Sequence, residues 1–531
     1  MLSANLQQPG DTERALKTLQ DASTAGYNGV IYRDPTLEAF AKVPAPYAAA
    51  LNQVTAAARR LNIEFIPSIA NVGFGRDLLK LDPSLVESMP CRHVHFVVTG
   101  GKLRPSDPPP PIAGGGFDTI AGDLPTGFKA AAHPGVAAFL DPAMKHGGPA
   151  SLRVEGQPAM AAGSKVVYEQ AITVQPWHQY RLSIWTKTAA AQGAAITLTP
   201  LGANNQVLGY FDWQNTPEWG RNVLVFNSQE NTTVNLQLGV LPIANAKLWI
   251  DDLTLEDAGV LNITRRDDCP LSIRGDDGAI FNEFVDVDDV NDTFIPPGST
   301  TPGFDVFHDP KPPSVLGNSK LREGQIVVMD YYAAALIHNN PTFCFSEPKA
   351  KSLLKTEIRR VIALTHAKTL HLNLDNVQAL GWDPGCEATQ TTPGQMLGRL
   401  VRDEYNFAKT IVPGVQIVTN SNMFDPNANS KDSYYFMQGG TSDSLRDVPK
   451  QTLILNDNSA NGLPSSGYFA RQGYSQILVG TTDAGSTMAP IDKWIKIASD
   501  AKGIRGYMFV TSTGDYSHLG DFAKAASAVL H

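Results

Sequence analysis

Two acidic residues in the C-terminal half of the chain stand where a strand-like run ends: Glu347 in PTFCFSEP and Asp375 in TLHLNLDN. Cleavage of a glycosidic bond needs two such carboxyl groups, one to donate a proton and one to act as nucleophile, base or orienting group. Asp375 and Glu347 form the best pair on this map, with Asp425 and Asp483 in reserve. Residues suited to a ligand rich in hydroxyls end neighbouring runs: Arg33, Tyr332, Asn376, Asn422, Asp457 and Asp483. Carboxylates accept hydrogen bonds, carboxamides both donate and accept, and the rings of Trp382 and Tyr332 can stack on a sugar face. Each residue also has a plainer reading. Asp375 can cap the next turn, and Glu347, just before Pro348, can serve a helix N-terminus.

The elements that must position these groups are legible as a rhythm. In Lys368–Cys386, Leu370, Leu372 and Leu374 alternate with His371, Asn373 and Asp375, which predicts a buried strand with a polar and an apolar face. If the leucines pack on helices, Asp375 reaches the open end of the polar face, with Arg33 and Glu347 on the same rim. Strands are expected at 29–34, 63–69, 324–331, 369–375, 415–422, 452–458, 476–483 and 506–513, with amphipathic helices between most of them. A helix should follow Asp11, and Thr392-Pro393-Gly394-Gln395 reads as a capping box. Eight parallel strands predict a (β/α)8 barrel, whose chemistry sits at the C-terminal strand ends.

The middle of the chain breaks this rhythm. Residues 105–116 (PSDPPPPIAGGG) read as a linker. From 117 to 257 the period becomes two, in VVYEQAITV, YRLSIWTKT, AAITLTPL, NVLVFNS, VNLQLGVL and KLWIDDLTLE. This predicts an antiparallel β-sandwich inserted into a barrel made of 1–104 and 324–531, with 258–323 as a β-rich connector. Trp177, Trp185, Trp213 and Trp219 offer a sugar platform, though tryptophan in a sandwich more often belongs to the core.

The net charge of −9 provides no basic stripe for nucleic acid. No apolar run reaches the roughly 18 residues of a membrane span. Residues 1–10 lack the pattern of a signal peptide, so the expectation is a cytoplasmic protein or an exported chain already trimmed. The four cysteines form no CxxC, and disulfides stay open. No GxSxG, P-loop, strand–helix GxGxxG or HExxH occurs.

Two resemblances follow. Gly115-Gly116-Phe117, ASLRVEG (150–156) and LWIDDLTLE (248–256) resemble the galactose-binding-like carbohydrate-binding modules. That resemblance implies carbohydrate as partner and a structural calcium near the module's ends, at Asp252; no cofactor is implied for catalysis. AGYNGVIYRD (25–34), CPLSIRG (269–275), FSEPK (345–349), NSNMFDPNAN (420–429) and GDYSHL (514–519) resemble an uncharacterised group of glycoside-hydrolase-like barrels, itself similar to β-N-acetylhexosaminidases. That pattern has Asp-Glu where this chain has Asp375-Asn376, and an acidic residue at the place of Asn422. It implies that Asp375 orients an acetamido group, that Arg33 holds sugar hydroxyls, and that the proton donor's place is taken by Asn376. An amide is no general acid. Either Glu347 or another carboxylate supplies the proton, or the barrel only binds sugar.

Overall fold

The computed structural model describes residues 1–40, 42–69, 71–73, 81–122, 124–132, 138–155, 166–189, 195–214, 217–241, 246–292, 306, 308–337, 340–482, 495 and 502–528. The chain is mixed α/β and divides into two compact units. One comprises Met1–Leu85, Thr342–Gly381 and Gly385–His531, the other Val86–Pro341 with Trp382–Pro384.

The first unit alternates strand and helix: β1 (Leu2–Ser3), α1 (Asp11–Thr24), β2 (Gly29–Arg33), α2 (Ala45–Arg60), β3 (Glu64–Pro67), α3 (Pro348–Thr365), β4 (Thr369–Leu372), α4 (Pro393–Ile411), β5 (Gln416–Asn420), β6 (Leu453–Asn456), α5 (Gly462–Arg471), β7 (Gln476–Thr482), β8 (Ile504–Thr511) and α6 (Leu519–Ser527). Every ladder among these strands is parallel and joins successive members: β1 to β2 to β3, and β4 through β5, β6 and β7 to β8. A parallel bridge between Ser68 and His371 connects β3 to β4. The Met1 ammonium donates to the Phe509 carbonyl of β8. Ile31, Ile66, Val418, Leu455 and Val479, with Met1, Leu453, Ile477, Met508 and Val510, form one apolar cluster. Leu370, Leu372 and Leu374 are fully buried and lie outside that cluster.

Helix starts follow local chemistry. The Thr392 hydroxyl accepts the Gln395 N–H at 3.1 Å, with Pro393 in the first turn of α4. The Glu347 carboxylate accepts the Lys349 N–H at 2.9 Å at the head of α3. Asp11 is the first helical residue of α1 rather than its cap, which falls to Gly10 at φ 81°.

The expectation for 324–331 is corrected. This run belongs to the strand Ile326–Ala334, which pairs antiparallel with Ser88–Thr99 and with Ser272–Gly275 in a five-stranded sheet of the second unit. Its apolar character comes from one face packed on Val94, Phe96, Ile273 and Val287. The parallel neighbour of β2 that the sequence reading lacked is the two-residue β1.

The second unit also holds two five-stranded antiparallel sheets, in the spatial orders 220–227, 179–189, 247–257, 151–155, 138–141 and 211–214, 195–201, 233–241, 166–173, 129–132. Alternate residues of both, among them Leu152, Tyr168, Leu182, Leu198, Phe226, Leu238 and Ile250, form a single apolar cluster. One shared core between two sheets explains the period of two read from the sequence.

Candidate functional site

Parallel strands present their C-terminal ends along one edge, so the polar residues that close β2, β4, β5 and β6 gather there. Asp375 follows β4. Its N–H is directed at the Asn373 side-chain oxygen at 3.3 Å, and the Asn422 amide donates to Asp375 Oδ1. The Oδ1 of Asn422 is buried with no hydrogen-bond partner among the described residues, an orphan acceptor of the kind a ligand donor satisfies. Asn376 adopts φ 53°, a left-handed conformation that Asn tolerates better than most residues. A Cβ at Gly73 would stand 2.5 Å from the Asp375 carbonyl and 2.8 Å from the Asn376 carbonyl carbon. Only glycine at 73 lets the two backbones approach this closely.

Charge accumulates around this turn. Arg33, at the end of β2, makes a two-pronged pair with Glu38 at 3.1 and 3.3 Å. Burial opposes the guanidinium charge, but Glu38, and then Asp375, outweigh it and raise the Arg33 pKa. Burial pushes the Glu38 carboxyl up, with Arg33 pulling against it. Asp457, after β6, accepts from the Ser421 hydroxyl at 2.8 Å. Desolvation by the surrounding protein pushes its carboxyl above the ordinary range, against the Ser421 hydrogen bond, and the negative charge of Asp375 adds to the rise. Tyr434 is raised chiefly by burial, with Asp375 also contributing. Beneath the rim, burial lowers the His371 imidazole to about 4. The ring is therefore neutral at ordinary pH, with Nε2 3.1 Å from Asn420 Oδ1 and Nδ1 3.1 Å from the Ser68 hydroxyl.

Of the residues expected from the sequence, Arg33, Asp375, Asn376, Asn422 and Asp457 come together here. Glu347 sits at the α3 entrance as a capping group. Asp425 anchors a loop, accepting from Asn427, Asn458 and Ser465. Asp483 lies outside the described residues, as does the side chain of Trp213. Tyr332 lies on the antiparallel strand Ile326–Ala334 of the second unit rather than at a parallel strand end. Trp382 also belongs to the second unit, 8% exposed, its backbone N–H donating to Glu87 Oε1 at 2.7 Å and its ring edge-on to Trp177. Trp382, expected to stack on a sugar face, is thus buried against Trp177. Glu38 and Tyr434 join the site without standing at a strand end; Glu38, five residues beyond Arg33, is the one of the two with a signal in the sequence.

Within the second unit, His146 stacks on Trp185 at 3.7 Å and meets Trp219 edge-on at 6.0 Å. Its Nδ1 lies 2.7 Å from Asp252 Oδ2. On the other sheet, Asn235 and Gln237 both donate to Glu169, at 3.0 and 3.3 Å.

No protein-family model matches the chain, and no curated protein matches it. Solved structures similar to it include a rhamnosidase from Novosphingobium sp. PP1Y, with 11% identity and TM-score 0.32 over 98% of this chain and 58% of that one. The Flavobacterium johnsoniae chitobiase FjGH20 matches with 15% identity and TM-score 0.27 over 35% of this chain and 30% of its own. The module TmCBM61, solved with β-1,4-galactotriose, matches with 16% identity and TM-score 0.21 over 24% of this chain and 88% of its own. No helix among the described residues is long and apolar enough to cross a membrane.

Proposed function

We propose that this protein is a glycoside hydrolase of polysaccharides or glycoconjugates, acting at the C-terminal strand ends of a (β/α)8 barrel whose companion is a glycan-presenting β-sandwich. The observation that carries the reading is the group formed by Asp375, Asn422, Arg33 and Asp457 at the ends of four parallel strands. The parallel succession β1 to β8 and the contact from Met1 to β8 support the barrel. The single core between two antiparallel sheets supports the sandwich.

Two carboxyl groups in unequal environments divide the labour. Asp457, which its surroundings hold toward the protonated form, donates its proton to the departing glycosidic oxygen. Asp375, fixed by Asn422, accepts from the substrate and orients it at the reacting carbon. Arg33 holds hydroxyls while Glu38 fixes its guanidinium plane. Glu347, the partner expected from the sequence, is the competing donor. A panel of aryl glycosides with good and poor leaving groups separates the two. Asp457→Asn should slow poor leaving groups far more than good ones, and should abolish the alkaline limb of the rate profile, where the donor loses its proton. If Glu347→Gln produces that pattern instead, Glu347 is the acid.

The second reading, a carbohydrate-binding protein without turnover, is favoured by Asn376 in the place where the resembling pattern has its donor. Glycan binding with no released product from any panel member would establish it.

A calcium ion held at Asp252 is a further part of the proposal. Ideal Cβ atoms on Gly147 and Gly148 would lie 2.5 Å from an Asp252 oxygen and 2.3 Å from an Asp118 oxygen, so backbone and two carboxylates crowd one loop, an oxygen-rich set of the kind calcium takes. The Asp252 contact with His146 competes for the same carboxylate. Excess calcium should raise the thermal midpoint of the wild type by a few degrees and leave Asp252→Ala unmoved. Equal midpoints with calcium and with chelator would remove the site.

A further inference from the structure

Cys344 and Cys386 lie in the first unit, both 0% exposed. Cys344 stands three residues before Glu347, and Cys386 lies in the short helix Pro384–Ala388. Their sulfurs converge on one hydroxyl: Ser346 Oγ is 3.0 Å from the first and 3.3 Å from the second. The two Sγ atoms lie within 4.8 Å of one another. The other two cysteines have different neighbours, Cys269 meeting Ser88 at 3.5 Å and Cys91 meeting Asn227 at 3.8 Å.

We propose that Cys344 and Cys386 form a disulfide that ties the entrance of α3 to the segment following the Asp375 turn. From a separation of up to 4.8 Å, an S–S bond of about 2.05 Å requires each sulfur to move by up to about 1.4 Å, within reach of a χ1 adjustment once the Ser346 hydroxyl swings aside. The two thiols together give up two protons and two electrons. The oxidant is a second disulfide, either oxidised glutathione or the active disulfide of a thiol oxidoreductase, which is reduced to two thiols. Because both sulfurs are sealed from solvent, the exchange takes place while the chain folds. The cross-link closes a loop of about 40 residues in the unfolded chain, a length at which a disulfide stabilises appreciably. It also fixes the backbone carrying Glu347 relative to that following Asp375, whichever of the two proton donors proves correct.

Peptide mapping of the full-length chain, refolded in a glutathione redox buffer and then denatured and alkylated, decides the matter. The expected result is alkylated Cys91 and Cys269, with Cys344 and Cys386 recovered in one linked peptide two hydrogens lighter than its reduced halves. Adding reductant should then lower the thermal midpoint by about 5 °C or more. In Cys344→Ser, reductant should have no such effect. Alkylation at all four cysteines of refolded wild type, or a linked peptide joining another pair, overturns the proposal.

Discussion

Asp375→Asn lowers kcat/KM by about 10²-fold or more, with the thermal midpoint nearly unchanged. The substitution is nearly isosteric, and the Asn422 amide can still donate to a side-chain oxygen at 375, so the turn keeps its shape. What is lost is the negative charge that Arg33 and Asp457 both sense. Without it the Asp457 carboxyl loses one of the influences that raise its pKa, so the alkaline limb of any residual activity should shift to lower pH. That shift separates an electrostatic partner from a residue that only shapes the loop. Unchanged turnover in Asp375→Asn would remove the proposed centre. A collapse of the midpoint alongside the activity would mark Asp375 as structural.

Glu404→Gln stabilises the protein above pH 7 by up to about 3 kcal/mol. Glu404 is 1% exposed on α4, and its Oε2 has no hydrogen-bond partner among the described residues. Burial raises its pKa from 4.5 to about 7, against the attraction of Lys355. Between pH 4.5 and 7 the folded state therefore holds a proton that the unfolded state has released, so stability falls as pH rises through that window and is flat beyond it. Glutamine keeps the size and removes the charge. Urea unfolding at pH 5 and pH 8 should show wild type losing stability over that interval and the variant losing less. Parallel losses in the two proteins would show that Glu404 does not carry the effect.

Alternation alone exposed β4, because its pattern is local: Leu370 and Leu372 flank His371, and the same alternation runs past the strand end through Leu374 to Asp375. The strand Ile326–Ala334 misled for the same reason. IVVMDYY is as apolar as a parallel core strand, and what distinguishes it is a partner more than 220 residues away, Ser88–Thr99, which no local period encodes. β1 has two residues, too few to carry any period at all. At the site, strand ends gave Arg33, Asp375, Asn422 and Asp457, since a polar residue closing an apolar run is visible in one dimension. Which of these touch depends on the order of strands in space, and so Glu38 and Tyr434 escaped notice. Glu347-Pro348 carried both of its readings openly, and the capping geometry belongs to the plainer one. Glu404 was legible in principle, seven residues after Leu397 and four after Leu400 on the apolar face of α4.

Ser68 and His371 meet although 303 residues separate them. Almost all of that separation is the second unit, which departs and returns through paired strands, Ser88 opposite Ala334. Once those strands have paired, the stretch to be closed between Ser68 and His371 shrinks to fewer than 60 flexible residues, easing closure by about 1.5 kcal/mol. On the ribosome Val86–Pro341, all of the second unit but Trp382–Pro384, is made before β4, while β1 to β3 wait without their neighbour. Its folding is then a timing device, converting the most distant contact of the first unit into a nearly local one at the moment the remaining strands emerge.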